Sequence, residues 1–149
     1  MTVESTLVII KPDAIRHGLV GAVISRLVDE LQLEIVGAKA VRVSQALAET
    51  HYQQLRAKPF FAELVDYLQG KLHQTSSVLA LVLRGERAIE RVRQVTGATH
   101  PEKADPASLR GALGRMTTAG VMENVVHASA DPHEAEREIG LWFQPGELL

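Results

Sequence analysis

The chain has 149 residues, of which 46% are hydrophobic and 23% are charged, and its formal net charge is −2. This length and composition predict one soluble domain, spanning residues 1–149, that is large enough to bury its own core. The absence of cysteine excludes disulfides, thiolate metal sites and a cysteine nucleophile, and the small negative charge gives no general attraction to nucleic acid or to an anionic membrane.

The first half of the chain predicts two strands and three helices. In chain order we expect a strand at 6–10, a helix at 23–31, a strand at 34–43, a helix after Ser44 and a helix opening at Phe60. The first strand is uniformly apolar, as expected for a strand covered on both faces, and Pro12 ends it because proline lacks a backbone donor. Ser44 predicts an N-cap, and Pro59 separates the last two helices.

The second half predicts two further strands, at 78–83 and 125–127. A helix carrying Ile89 and Val92 lies between them, and residues 97–120 form a long loop that is either functional or disordered. Asp131 predicts the N-cap of a final helix, with Pro132 at its first position. The order favours a βαββαβ core with extra helices on one face of a small antiparallel sheet, which is the ferredoxin-like class of α+β folds.

The end of the last predicted strand is the first candidate for chemistry. His127 ends this strand, with Asn124 three positions before it and Ser129 two positions after it. A sheet that fixes the backbone can aim a histidine at a ligand. The same pattern is also typical of a packed structural histidine, and the local sequence alone does not decide between these alternatives.

Several separated segments resemble the nucleoside diphosphate kinase family, and together they cover nearly the whole chain in order. They are Thr6-Leu7-Val8-Ile9-Ile10-Lys11-Pro12-Asp13 with Arg16 and Gly18-Leu19-Val20-Gly21, His51-Tyr52 through Lys58-Pro59-Phe60-Phe61, Val92-Arg93 to Gly97-Ala98-Thr99-His100-Pro101, Leu109-Arg110-Gly111, Glu123 to Ser129, and Glu136 to Phe143. The resemblance implies transfer of the terminal phosphate of a nucleoside triphosphate, mainly ATP, to a nucleoside diphosphate. It also implies a phosphohistidine intermediate, a need for Mg²⁺ carried on the nucleotide phosphates, and a ferredoxin-like fold.

The resemblance implies the following catalytic group. His127 matches the nucleophile, and Glu138 matches a glutamate that hydrogen-bonds near the catalytic ring and fixes its orientation. Lys11 matches a phosphate contact, Tyr52 matches a residue close to the histidine, and Ser129 supports the same network. The competing interpretations are a solvated glutamate for Glu138, a core residue for Tyr52 and a turn residue for Ser129.

The resemblance also implies a nucleotide-binding group. Lys11, Arg93 and Arg110 match phosphate contacts, and Thr99 and Asn124 match groups that hydrogen-bond phosphate and sugar. Phe60 matches the residue that stacks on the base, beside Leu64 and with Val121 as an apolar wall opposite. Stacking hardly distinguishes bases, so we expect broad acceptance of nucleotides. The competing interpretations are surface charges, loop polar residues and a core phenylalanine. We assign surface roles to the remaining nearby cations, Arg16, Arg42, Arg56, Lys58 and Arg115.

The chain departs from the family pattern at several positions. Ala128 replaces a usual glycine, Ala130 replaces a usual aspartate, and Ala112 replaces an acidic residue after Arg-Gly. If the glycine backbone had positive φ, Ala128 would strain the histidine loop. The loop 70–76 and the stretch 111–123 are both longer than usual, and the second must bulge near the nucleotide. These departures affect the expected turnover, affinity and oligomer size.

We expect an active nucleoside diphosphate kinase. The alternatives are a catalytically weak module of the same fold that binds nucleotides or another protein, and a ferredoxin-like RNA binder, which the 4% aromatic content and the negative charge disfavour. The N-terminus lacks a secretory signal and no apolar run approaches the ~18 residues of a membrane span. We therefore expect a cytoplasmic protein without nucleic-acid or membrane partners, and a homo-oligomer, with a hexamer favoured over a tetramer.

Overall fold

A computed structural model describes residues 2–149. Its strands are β1 (Val3–Ile10), β2 (Glu34–Val41), β3 (Val78–Glu86), β4 (Arg115–Met116), β5 (Met122–Glu123) and β6 (Val126–Ala128). Its α-helices are α1 (Pro12–Arg16), α2 (Val20–Ile24), α3 (Gln45–His51), α4 (Phe61–Leu68), α5 (Ala88–Thr96), α6 (Leu109–Leu113) and α7 (Pro132–Trp142). A π-helical turn at Ser25–Asp29 extends α2, and short 3-10 turns lie at Gln53–Leu55, Pro101–Lys103 and Pro145–Glu147.

The main sheet has four strands in the order β2-β3-β1-β6, and each neighbouring pair is antiparallel. With one helical connection between β1 and β2 and another between β3 and β6, this is the βαββαβ topology of the ferredoxin-like class, as predicted. The strands β4 and β5 form a separate two-stranded hairpin. Among residues 2–149, no helix combines the length and the apolar content needed to cross a membrane.

The sheet is covered on both faces, and β1 supplies both cores because its side chains alternate between them. Val8 and Ile10 pack with the core beneath α1, α2 and α5, whereas Leu7 and Ile9 pack with α3, α4 and α7. All four side chains are fully buried. Burying each contributes roughly 1.5–3 kcal/mol to folding. The predicted apolar strand with two covered faces is confirmed.

This register decides where the candidate histidine lies. His127 is paired opposite Ile9 across β1 and β6. Residues that face each other in an antiparallel pair project from the same face. His127 therefore lies on the face that α3, α4 and α7 cover, and these helices can bring side chains to it.

The two predicted N-caps are present. The Ser44 hydroxyl accepts a hydrogen bond from the Leu47 backbone N–H at 3.1 Å, and the Asp131 carboxylate accepts one from Glu134 N–H at 2.8 Å. Each cap satisfies a backbone donor that a helix start leaves without a partner, which contributes about 1 kcal/mol. The cap at Asp131 fixes the start of α7, the helix that carries Glu138.

Three elements differ from the sequence predictions. Pro12 ends β1 but also begins α1, since a proline at the first helical position loses no hydrogen bond. The segment 97–120, predicted as a loop, contains α6 and β4. These elements are too short for a periodic pattern to reveal them. The helix α5 ends at Thr96, and its C-cap Gly97 has a φ of +88°, which suits glycine.

Candidate active site

A strained turn leads into β6. Val125 has a φ of +73° and is fully buried, and Val126 N–H donates to the Asn124 carbonyl at 2.7 Å to close a three-residue turn. Such a backbone in a β-branched residue costs about 1–3 kcal/mol and persists only where its surroundings hold it. Here Val125 N–H donates to the Asp13 carboxylate at 3.0 Å, and the Val125 carbonyl accepts from Lys11 N–H at 2.9 Å. The turn thereby fixes the chain on either side, at Asn124 and His127.

His127 is held through one ring nitrogen. Its Nε2 lies 2.8 Å from Glu138 Oε1, and the Ser129 hydroxyl donates to that same oxygen at 2.7 Å. Ser129 Oγ in turn accepts from Leu7 N–H at 3.1 Å, which anchors this network to β1. Because Glu138 Oε1 is an acceptor, Nε2 carries the proton, and Nδ1 of the neutral ring keeps its lone pair. No hydrogen bond to Nδ1 occurs within residues 2–149.

The surroundings keep this imidazole neutral. Burial lowers the pKa of His127 well below its usual value, and the nearby positive charges of Lys11, Arg110 and Arg93 lower it further. Burial also raises the pKa of Glu138, although the Ser129 hydrogen bond opposes that effect. A neutral ring with a free nitrogen beside several cations is suited to attack an anionic electrophile.

Lys11 is buried beside the histidine. Lys11 directly follows β1, and only 5% of the residue is exposed. Its Nζ donates to Asn124 Oδ1 at 2.8 Å. Burial and the charge of Arg110 lower the pKa of Lys11 to about 7, against the opposing effect of Asp13. A bound anion would favour the protonated amine, so anion binding and protonation of Lys11 are coupled.

Arg110 has two tasks. Its guanidinium donates to the backbone carbonyls of Asn124 at 3.1 Å, Gly97 at 3.0 Å and Val126 at 2.7 Å, so it joins the segments on either side of the site. A guanidinium has five N–H donors, and those not used here remain for a ligand. Burial lowers the pKa of Arg110 to about 10, and the nearby charge of Arg93 adds to this effect, which leaves the group charged at neutral pH.

One cleft of about 560 Å³ brings the predicted residues together. Its lining includes Lys11, Tyr52, Phe60, Leu64, Arg93, Thr99, Arg110, Val121, Asn124 and His127. The two remaining predicted residues, Glu138 and Ser129, lie behind the His127 ring and contact it or each other. A second cleft, of about 630 Å³, shares Arg93 but does not have His127 in its lining.

The cleft has two ends of different character. Lys11 and Arg110 lie close enough to His127 to lower its pKa, and Tyr67, near the end of α4, contacts Asn124 beside them. Phe60, at the start of α4, and Leu64 are apolar parts of the lining that lie about one to two helical turns away along that helix. Phe60 is 46% exposed, which is unusual for a phenylalanine and leaves its ring available to a ligand. The arrangement can hold a molecule that is anionic at one end and flat and apolar at the other.

The structure also brings in residues that sequence reasoning missed. His51 Nδ1 accepts a hydrogen bond from Trp142 Nε1 at 3.1 Å, and the centroids of the His51 and His127 rings are 4.6 Å apart. Tyr67 donates to the Asp13 carboxylate at 2.5 Å and accepts from Asn124 N–H at 3.2 Å. His51 belongs to one of the segments that resemble the family, but the resemblance assigned no role to it. No sequence pattern indicates Tyr67.

Tyr52 lines the cleft together with His127 and makes no side-chain hydrogen bond among residues 2–149. Its hydroxyl is buried, and its ring lies 4.8 Å from the His51 ring, centroid to centroid. Burial raises the pKa of Tyr52 above its usual value. Buried polar groups without a partner are uncommon in proteins, which sets Tyr52 apart from the hydrogen-bonded residues around it.

Ala128 causes no backbone strain. It lies in the strand β6, paired with Val8, and it is not among the residues with positive φ. The usual glycine at this position is therefore not required by the backbone of this chain. The strain lies instead at Val125.

His51, His127 and Glu138 form the one group of possible metal ligands within the described part of the chain, and their ligand atoms lie within 4.8 Å of one another. Nε2 of His127 and Oε1 of Glu138 already share a hydrogen bond, and Nδ1 of His51 already accepts from Trp142. An ion here would displace the contact that orients the catalytic candidate. We therefore assign no metal to this group.

Comparisons with known proteins identify one family to which the chain is similar. The family model of nucleoside diphosphate kinase (NDK) matches residues 4–148. A nucleoside diphosphate kinase of Pyrococcus horikoshii is 46% identical over 146 residues, which are 98% of this chain and 88% of that protein. The one from Thermus thermophilus is 44% identical over 146 residues, covering 98% of this chain and 99% of the relative.

Solved structures give the same match. The nucleoside diphosphate kinase of Halobacterium salinarum in complex with CDP has a TM-score of 0.89 and 36% identity, covering 99% of this chain and 92% of that chain. A transition-state mimic of the Borrelia burgdorferi enzyme with bound vanadate and ADP has a TM-score of 0.88 and 34% identity, covering 99% of this chain and 90% of that chain.

Proposed function

The chain belongs to the nucleoside diphosphate kinase family, and on that premise we propose that it transfers the terminal phosphate of a nucleoside triphosphate, mainly ATP, to a nucleoside diphosphate through a phosphorylated His127. One observation carries this proposal. The free Nδ1 of a neutral His127 lies in the same cleft as Lys11 and Arg110, while its Nε2 is held by Glu138.

The first half-reaction phosphorylates the enzyme. The Nδ1 lone pair attacks the terminal phosphorus, the bond from that phosphorus to its bridging oxygen breaks, and the nucleoside diphosphate leaves. The ring becomes positively charged as the N–P bond forms. The hydrogen bond from Nε2–H to Glu138 holds the ring in line and stabilises this charge. Lys11, Arg93 and Arg110 stabilise the negative charge on the phosphoryl oxygens, and each such donor contributes roughly 3 kcal/mol.

The second half-reaction reverses the first with a different nucleotide. A terminal phosphate oxygen of the incoming nucleoside diphosphate attacks the phosphorus on Nδ1. The N–P bond breaks, and the electron pair returns to Nδ1, so His127 is regenerated. A single cleft serves donor and acceptor in turn, which predicts ping-pong kinetics. Phe60 stacks on the base in both half-reactions, and Thr99 and Asn124 hydrogen-bond the phosphates and sugar.

We propose Mg²⁺ as the metal, bound mainly by the phosphates of the nucleotide. Within residues 2–149, Glu63 is the one carboxylate that lines the cleft, and the Asp13 carboxylate is already engaged by Tyr67 and Val125. This donor set fits an ion that keeps its waters and phosphate ligands. When bound, the ion would supply positive charge that offsets the negative charge of the phosphates.

The test is incubation with γ-labelled ATP. We expect an acid-labile label on the wild-type chain and its transfer to several nucleoside diphosphates. His127→Ala should lower the labelling rate by at least about 10³-fold, as removal of a covalent nucleophile does in other enzymes. His133→Ala is the matched control, because His133 is exposed on α7. Nucleotide binding without labelling of the wild type would instead identify a binding module.

We also propose that the chain is a cytoplasmic homo-oligomer, with a hexamer favoured over a tetramer. The strand β2 lies at one edge of the sheet, and Ile35 on it is 37% exposed. An exposed edge strand with an apolar side chain is a surface that another chain can cover. Sedimentation equilibrium measures the assembly size, and cell fractionation tests the location.

A further inference from the structure

The two segments that are longer than the family pattern, 70–76 and 111–123, meet at one buried carboxylate. Glu123 Oε2 lies 2.5 Å from His73 Nε2, and Glu123 Oε1 accepts from Arg115 Nε at 2.6 Å. Glu123 is 4% exposed and His73 is 6% exposed. We call this set of three residues, His73, Glu123 and Arg115, the loop clamp.

The loop clamp ties together parts of the chain that are distant in sequence. Arg115 and Glu123 face each other across the hairpin of β4 and β5, and His73 comes from the loop after α4. The ring of His73 also lies 5.6 Å from the Tyr67 ring, centroid to centroid. Two hydrogen bonds to a single carboxylate restrict how the loop and the hairpin can move relative to each other.

Stability alone is a weak explanation for this arrangement. Burying a carboxylate is costly, and an apolar contact of the same size often stabilises a protein equally well. In addition, Nδ1 of His73 is buried without a hydrogen-bond partner among residues 2–149. An unpaired buried polar group costs stability, so its presence here points to a role in positioning other residues.

The neighbours of the loop clamp in the chain indicate that task. Leu72 precedes His73, and Met122 precedes Glu123, and both line the cleft together with Val121. Asn124, which follows Glu123, belongs to the phosphate end, where it is held separately by Lys11 and Arg110. The clamp therefore fixes the apolar wall more directly than it fixes the phosphate groups.

We propose that the loop clamp positions Leu72, Val121 and Met122 as one wall of the nucleoside end of the cleft, and so sets the affinity for the nucleoside part of the substrate. This role rests on the proposed function, because it requires a nucleotide with its base beside Phe60. His73, Glu123 and Arg115 are positioning residues, since they act through the wall and do not contact the reacting phosphoryl group. The longer loops thus supply one wall of the cleft. Arg115, to which the sequence analysis assigned a surface role, helps to hold that wall in place.

The experiment separates the nucleoside from the phosphates. Binding of ADP and of inorganic pyrophosphate is measured by calorimetry for the wild type, Glu123→Gln and Arg115→Ala. We expect Glu123→Gln to raise the Kd for ADP about tenfold, within the range of one lost base contact. The Kd for pyrophosphate and the rate of His127 phosphorylation at saturating ATP should change by less than about twofold, as for a substitution remote from the reacting atoms.

Substitutions at exposed positions guard against a trivial loss of folding. The Arg115 side chain is 61% exposed, so Arg115→Ala should fold and should raise the Kd for ADP in the same direction by a smaller factor, and Arg115→Lys should partly restore it. Lys71→Met is the matched control. Lys71 lies on the same loop as His73, and the substitution removes an exposed ion pair with Asp66 of α4, at 3.4 Å, so both Kd values should stay unchanged.

The outcomes are distinct. An unchanged Kd for ADP in both clamp variants, with normal binding by the wild type, would overturn this inference alone. Equal losses for ADP and pyrophosphate would also overturn it, because the clamp would then support the phosphate end. A wild-type chain that binds no ADP would overturn the proposed function, and this inference with it.

Discussion

The two ends of the cleft are built in different ways. At the phosphate end, Lys11, Arg110 and Asn124 are buried, and each is hydrogen-bonded to another site residue or to backbone carbonyls at the end of the sheet. At the nucleoside end, Phe60 is 46% exposed, and the other walls come from α4, the loop 70–76 and the β4–β5 hairpin. On the proposed function, the groups that act on the phosphates are thus hydrogen-bonded to one another and to the backbone beside the sheet, whereas the surface for the base comes from loops and a helix.

This difference follows from what each end must do. Phosphoryl transfer needs charges held to within a fraction of an ångström, and rigid elements provide that better than loops do. Base stacking tolerates small displacements, since every base offers a flat face. Substitutions at the two ends should therefore change different kinetic parameters, and the following changes test that division from the largest expected effect to the smallest.

The largest effect is expected at the phosphate end. Lys11→Met should lower kcat by about 10²–10³-fold, because it removes a charged donor from a water-poor site. The KM for nucleotides should change less. Steady-state kinetics measure both parameters, and Lys103→Met, on the 3-10 turn Pro101–Lys103, is a matched control. A change in KM alone would mean that Lys11 only binds substrate, which would break the proposed division.

The support behind the histidine ring should have the next largest effect. Glu138→Gln keeps the size of the side chain but removes the charge that faces Nε2, and we expect phosphorylation of His127 to slow by about 10- to 100-fold, the range found for groups that orient functional histidines. Quenched-flow labelling measures this rate. Glu136→Gln, exposed on the same helix, is the control. Equal rates for both variants would contradict an orienting role.

A smaller effect is expected at the nucleoside end. Phe60→Ala should raise KM by about 5- to 150-fold, since stacking contributes ~1–3 kcal/mol per base, and should leave kcat nearly unchanged. Purine and pyrimidine diphosphates should be affected to a similar extent. Phe60→Tyr keeps the ring and serves as the control. A loss confined to one base would indicate a specific contact and not a stacking surface.

The smallest effect concerns pH. The pKa of Lys11 in the free protein is lowered to about 7, and a bound phosphate should raise it. Below pH 7 the amine is already charged, so affinity is highest there. Above pH 7 binding must take up a proton, so the Kd should rise by up to about tenfold per pH unit. Calorimetry in buffers of different ionisation enthalpy measures the uptake. Persistence of the uptake in Lys11→Met would assign it to another group.

The sequence predicts the framework of the fold well. The apolar run in β1 and the caps at Ser44 and Asp131 are strong local signals, and the sheet order follows once the order of strands and helices is known. The short helix α6 and the β4–β5 hairpin were not predicted, because segments of two to five residues are too short to show a periodic pattern of apolar residues. They depend on contacts with distant parts of the chain.

The site divides in the same way. The resemblance to the family identifies Lys11 and His127, and the structure brings both into one cleft. The resemblance does not identify which nitrogen of the His127 ring is free, because that depends on the position of Glu138. The resemblance also does not identify the hydrogen bond between His73 and Glu123, because these residues are 50 positions apart in the chain.

The hydrogen bond from Trp142 to His51 connects the only tryptophan of the chain to the ring beside His127. Indole emission responds to charge and to hydrogen bonding in its immediate surroundings. A phosphoryl group on His127 would alter the field at His51 and hence at Trp142. The intrinsic fluorescence of the unlabelled protein should thus follow each half-reaction in real time.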